Sequence, residues 1–113
     1  MDIVMDQYSG RLLPPNERVV WVANWAGQDL YDARRFGVTR YVTEGSVDVF
    51  HTEELMAKIE ETLARSVDGD YLLLCGSVVV SALCAVVWVR KHQGLRVLIY
   101  GQRDKRYVAR EVG

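Results

Sequence analysis

At 113 residues, half of them hydrophobic and 26% charged, the chain has room for one folded domain and the composition of a globular protein, not a disordered one. A formal net charge of −1 excludes a protein dedicated to coating duplex nucleic acid. The charge is uneven: residues 1–89 hold 7 Lys/Arg against 13 Asp/Glu, whereas residues 90–113 hold 7 against 2. The basic end reads either as a charged edge hairpin that resists edge-to-edge pairing or as a surface facing an anion. A core this small carries a modest stability margin, so a homo-oligomer is expected.

Cys75 and Cys84 sit in apolar text without a Cys-x-x-Cys, and read as reduced, buried thiols. His51 and His92 are isolated, so spacing builds no metal site, and no cofactor is expected. Met1 to Tyr8 contains Asp2 and Asp6 and no apolar stretch, so it is not read as a signal peptide, and a cytoplasmic protein is expected.

Residues 1–17 form a weakly patterned lead, punctuated by Pro14-Pro15-Asn16, before a single α/β domain over 18–113. Arg18 to Ala23 is rich in β-branched and aromatic residues and reads as the first core strand. Asn24 to Gly27 is a loop. Leu30, Ala33 and Phe36 recur at a helical interval, predicting a short helix over 29–36 that ends at Gly37. Val38 to Thr43 is a second strand. Thr52 is placed as the N-cap of an amphipathic helix over 53–65, with Glu53 and Glu54 in its first turn.

Tyr71 to Val89 is a run of 19 residues without charge, followed by Arg90 and Lys91. That length suffices to span a bilayer. Gly76-Ser77 interrupts it, however, and a buried strand followed by a buried helix gives the same text. The preferred reading is a third strand over 71–74 and a helix to about His92. That helix is apolar on most sides and is expected to be central in the fold. Leu95 to Tyr100 is a fourth strand, Gly101 to Lys105 a polar turn, and Arg106 to Val112 an antiparallel edge strand. The order β-α-β-α-β-α-β-β predicts an α/β fold with a largely parallel sheet and helices on both faces.

In such sheets ligands bind beyond the carboxyl ends of the strands. Three segments are candidates there: Asn24, Trp25 and Gln28 after the first strand, Gly76 and Ser77 after the third, and Arg103 and Lys105 in the last turn. Gly76-Ser77 opens a helix, whose free amides and dipole favour an anion. Asn24 and Gln28 suit the edges of a base or ribose, Trp25 a stacked base, and Arg103 and Lys105 a phosphate. Neither a G-x-G-x-x-G nor a Walker pattern is present. No triad motif or carboxylate pair marks a catalytic site, so no catalytic residue is assigned and a non-enzyme is favoured. The leading expectation is a binder of a small, anionic, nucleotide-like ligand. The alternatives are a protein-interaction module, and a phosphodiester-cleaving enzyme using Asp104, His51 or His92.

The stretch Asp70-Tyr71-Leu72-Leu73-Leu74-Cys75-Gly76-Ser77, with Leu95-Arg96-Val97-Leu98-Ile99-Tyr100 and the returning Arg106-Tyr107-Val108, resembles small bacteriophage-encoded α/β proteins. In layout it is also similar, more distantly, to CRISPR-associated ring nucleases that bind cyclic oligoadenylates. The histidines and the Gly101–Lys105 hairpin depart from that pattern. The resemblance implies a phage protein that binds a signalling nucleotide and sequesters host immune signals, not a nuclease.

Overall fold

The computed structural model describes residues 18–113 and the backbone of two short strands, β1 (Val4–Met5) and β2 (Leu12–Leu13), paired antiparallel. Pro14-Pro15-Asn16 lies outside the described residues. The main sheet comprises β3 (Val19–Trp25), β4 (Val38–Glu44), β5 (Tyr71–Leu73), β6 (Leu95–Gly101) and β7 (Arg106–Val112), in the order β4-β3-β5-β6-β7. The first four are parallel and β7 returns antiparallel beside β6, as the alternation of elements predicts.

The hydrophobic alternation explains how the sheet is covered. Val19, Trp21, Ala23 and Leu72 point to one face, where they meet Leu55, Ile59 and Leu63 of α1 (Thr52–Leu63) and Val80, Cys84, Val87 and Trp88 of α2 (Val78–His92). Val20, Val22, Leu73 and Leu98 point to the other face, against Leu30, Ala33 and Tyr107. Both faces are covered, but unequally. Reversal of chain direction after β4, with right-handed crossovers, puts both α-helices on one side. The other side receives only the short segment expected at 29–36, folded as a 3-10 helix over Tyr31–Arg35. The third strand's lack of alternation reflects its central place, with Leu72 and Leu73 buried on opposite faces.

Two local details differ from the sequence reading: β3 continues through Asn24 and Trp25, which the sequence pattern reads as loop, and the cap of α1 falls one residue earlier. His51, not Thr52, occupies the position before α1, and makes no side-chain cap. Its imidazole Nδ1 instead pairs with Asp48, whose carboxylate also accepts the Phe50 amide. At the far end of α1 there is no glycine cap. Lys91 reaches across from α2, and its ammonium donates to the carbonyls of Leu63, Ala64 and Ser66. A cation there also opposes the negative end of the helix dipole.

The apolar run at 71–89 resolves into a three-residue strand and the first twelve residues of α2. Among the described residues no helix is long and apolar enough to cross a membrane. Nor is α2 central. Its inner side is buried, but Val78 is 82% exposed, and Val79, Val86 and Val89 are also exposed. With both helices on one face, no further layer lies outside α2 among the described residues.

Candidate functional site

The carboxyl edge of the sheet is organised by one residue, Asn24. It is 3% exposed, near the end of β3. Its side-chain Nδ2 donates to Thr43 Oγ1 and to the carbonyl of Gly45, both at 3.0 Å, holding the segment after β4. Its Oδ1 accepts the Ser77 amide at 2.8 Å, holding the segment after β5. Its backbone carbonyl accepts from Gln28 Nε2 and from the Cys75 thiol. One side chain thus ties together the exits of three adjacent strands.

Gly76 is fixed by the same contact. Its φ is +73°, a region that L side chains rarely adopt, and an added Cβ would stand 2.3 Å from the Asn24 carbonyl oxygen. Ser77 then caps α2: its hydroxyl oxygen accepts the Val80 amide at 3.3 Å. Gln28 and Trp25 close their loop on themselves. Gln28 Oε1 accepts the Ala26 amide at 2.7 Å, and Trp25 Nε1 donates to the Gln28 carbonyl at 3.0 Å. The indole is half-buried and stacks on Tyr41, with ring centroids 5.1 Å apart and planes 4° from parallel.

Asn24, Trp25, Gln28, Gly76 and Ser77 are therefore brought together, around the switch point between β3 and β5. Arg103 and Lys105 stand on the same edge, at the tip of the β6–β7 hairpin, exposed to solvent. The hairpin turn closes through the Lys105 amide and the Gly101 carbonyl, 2.7 Å apart, with Lys105 at a φ of +54°. No hydrogen bond or ion pair links these two basic side chains to the other five among the described residues. The sequence reading missed Thr43 and Gly45, because neither residue type announces a site. Their role follows from strand adjacency alone.

The acid–base candidates are dispersed. Asp104 is exposed on the hairpin tip, and His51 stands before α1 on the carboxyl edge, paired with Asp48. Hydrogen bonds from the Phe50 amide and from His51 hold the Asp48 carboxyl below its ordinary range. His92 lies on the opposite, amino edge, where its Nε2 meets Ser66 Oγ at 2.8 Å and its ring tilts against Trp88. Desolvation, reinforced by Lys91, lowers the His92 pKa. That edge holds a cavity of about 230 Å³ lined by Asp68, Asp70, Trp88, His92, Arg96 and Glu111 among others. Across its rim Arg96 pairs with Glu111.

Both cysteines are free. Burial raises the Cys75 thiol pKa and pushes that of Cys84 up to about 12, so neither is poised as a thiolate nucleophile.

The strand order, with one strand reversal and the first two connections departing on opposite faces, defines a small doubly wound α/β protein with an antiparallel last strand. More particularly, the chain belongs to the Phage Pam3 gp32-like protein family, whose model matches residues 16–113. The resemblance to phage-encoded proteins is thus borne out. No curated protein and no solved structure matches the chain.

Proposed function

We propose that the carboxyl edge of the sheet binds a small anionic, nucleotide-derived ligand, seated over the start of α2 between the Trp25–Gln28 loop and the hairpin tip. The observation that carries this reading is the adjacency of β3 and β5 at the strand reversal, since ligands of such sheets bind outside the carboxyl ends at that point. Asn24 is a positioning residue in this reading, because its amide is spent on holding the loops. The ligand's contacts fall to the amides of Val78 and Val79 in the first turn of α2, to the outer face of Trp25, and to Arg103 and Lys105. In a chain of a phage protein family, sequestration of a host signalling nucleotide is the role this reading proposes.

The test is a thermal-shift series with cyclic dinucleotides, cyclic oligoadenylates, ADP-ribose and NAD. A bound ligand at a hundredfold excess over its Kd stabilises the fold by about 2.7 kcal/mol. The shift is expected in the wild type and is expected to shrink in Arg103→Ala and Lys105→Ala, whose exposed side chains leave the fold intact. No shift with any of these nucleotides overturns the reading. The alternative of a protein-docking module is favoured by a different observation, the exposed apolar side of α2.

A further inference from the structure

β7 is a lateral strand of the sheet, and no strand lies along its outer side among the described residues. Its register with β6 fixes which backbone groups face outward. In an antiparallel pair, residues that bond across to the neighbour alternate with residues whose N–H and C=O point away. The register runs unbroken from Gly101↔Arg106 to Leu95↔Val112. Tyr107 is an outward residue, since side chains of the 3-10 helix hold both its N–H and its C=O. By the same alternation Ala109 and Glu111 face outward too.

What Tyr107 meets imitates a strand. Its N–H donates to Asp32 Oδ2 and its C=O accepts from Arg35 Nη2, each at 2.7 Å. Asp32 and Arg35 are themselves joined, Nε to Oδ1 at 2.9 Å and Nη2 to Oδ2 at 3.2 Å. A carboxylate and a guanidinium so locked offer an acceptor and a donor side by side, as one residue of an adjacent strand does. Two residues along, Arg110 Nη1 donates to the Ala109 carbonyl at 2.7 Å.

The strand is of the kind that invites pairing. It is seven residues long, and Val108, Val112 and the neighbouring Ile99 are exposed. Its own charges do not forbid a second copy. A two-fold pairing centred on Ala109 sets Tyr107 against Glu111, Arg106 against Val112 and Val108 against Arg110, with no like charges directly opposite. Its hydrogen bonds would run through three residue pairs, Tyr107 with Glu111 twice and Ala109 with Ala109. Occupying Tyr107 alone therefore removes two of the three.

We propose that the Asp32–Arg35 pair is a stopper for this lateral edge. It fills the place of a sixth strand at Tyr107, and so prevents β7 from pairing with β7 of a second copy. Nothing in this device depends on the nucleotide reading.

The test removes the stopper from the full chain, with Asp32→Ala and Arg35→Ala together. Both side chains are partly exposed, at 26% and 42%, so the fold tolerates their loss. Sedimentation equilibrium and amide exchange are followed over a wide concentration range. In the wild type the Ala109 and Glu111 amides are expected to exchange quickly at every concentration. In the double variant the mass should rise with concentration from that of the wild type toward twice its value, and both amides should slow in step. Adding Ala109→Pro should restore the wild-type mass and the fast exchange of Glu111, because proline there removes an outward N–H and none of the bonds to β6. A double variant with the mass and exchange of the wild type overturns the proposal. So does association that leaves the two amides fast or survives Ala109→Pro, which would come from loosening of the 3-10 helix. Wild-type protein in which these amides already slow with concentration overturns it as well, since the edge would then pair despite the stopper.

Discussion

The two edges of the sheet are each tied by one buried polar side chain, and the two chains of contact differ in chemistry. On the carboxyl edge Asn24 meets one donor, the Ser77 amide, and two acceptors, Thr43 Oγ1 and the Gly45 carbonyl. On the amino edge Asp70 meets donors only: the Val19 amide at 3.1 Å, the Trp21 indole at 3.0 Å and the Val67 amide at 3.0 Å. An amide both donates and accepts, whereas a carboxylate only accepts. Each edge carries the side chain that its neighbours require. Both link β3 to the segments around β5, the two strands whose adjacency defines the fold. Asn24 and Asp70 thus act first as structural ties. What is left for a ligand at the carboxyl edge is the helix start and the hairpin beyond them.

The carboxyl-edge tie is most vulnerable at Gly76. Gly76→Ala puts a methyl group on the Asn24 carbonyl and a side chain in left-handed backbone, and should cost about 4 kcal/mol or more, beyond the usual range for point changes. Denaturant unfolding measures it, and a loss of under about 1 kcal/mol would show that the tie yields freely.

Exchanging the two chemistries is the next test. Asn24→Asp sets an acceptor against the Thr43 hydroxyl oxygen and the Gly45 carbonyl. Asp70→Asn sets a donor against one of three N–H groups. Each should destabilise by about 2–3 kcal/mol, the cost of an unsatisfied buried group. Equal stability of either variant and wild type in urea would remove the argument from donor and acceptor matching. Lys91→Met, which strips three carbonyls at the end of α1 of their cation, should cost about 1.5 kcal/mol in the same assay.

Acid should separate the edges. His92, on the amino edge, has a lowered pKa, so the unfolded chain takes up its proton first as pH falls through the ordinary value of 6.5. The stability it contributes is whole above that value and is lost between it and the folded pKa. Asp32, on the carboxyl edge, binds the Tyr107 amide at 2.7 Å and pairs with Arg35. The Arg35 hydrogen bond, then that of Tyr107, hold its carboxyl below the ordinary 3.8. Its contribution is whole above 3.8 and is lost below it, as pH passes through the folded value. Amide exchange around α2's end should therefore accelerate at milder acidity than exchange at the β7 start. The reverse order would contradict the assignment.

The smallest effect is expected between the edges. Thr39 Oγ1 in β4 is buried without a hydrogen-bond partner among the described residues, so Thr39→Val should stabilise the protein by about 1 kcal/mol in the same unfolding assay. If it destabilises by as much, the hydroxyl is contributing more than its volume.

Much of the fold was legible in the text. The β-rich run at 18–23, the alternation at 38–43, the stripe Leu55, Ile59, Leu63, and the Gly76-Ser77 break in a long apolar run are local signals, and local signals set the elements and their order. The basic hairpin and the inert cysteines were legible for the same reason. The tie made by Asn24 was not, because its partners lie 19 to 53 positions away along the chain. Only the placement of β3 between β4 and β5 makes them neighbours. Nor could the text decide where α2 would lie. Apolar on most sides, it reads as a central helix, yet with both helices on one face no other described element covers its outer side. Local pattern settled which segments form strands and helices and in what order. The tertiary structure alone decided which strand exits meet and which apolar face stays open, because those depend on strand order, and local propensity does not encode strand order.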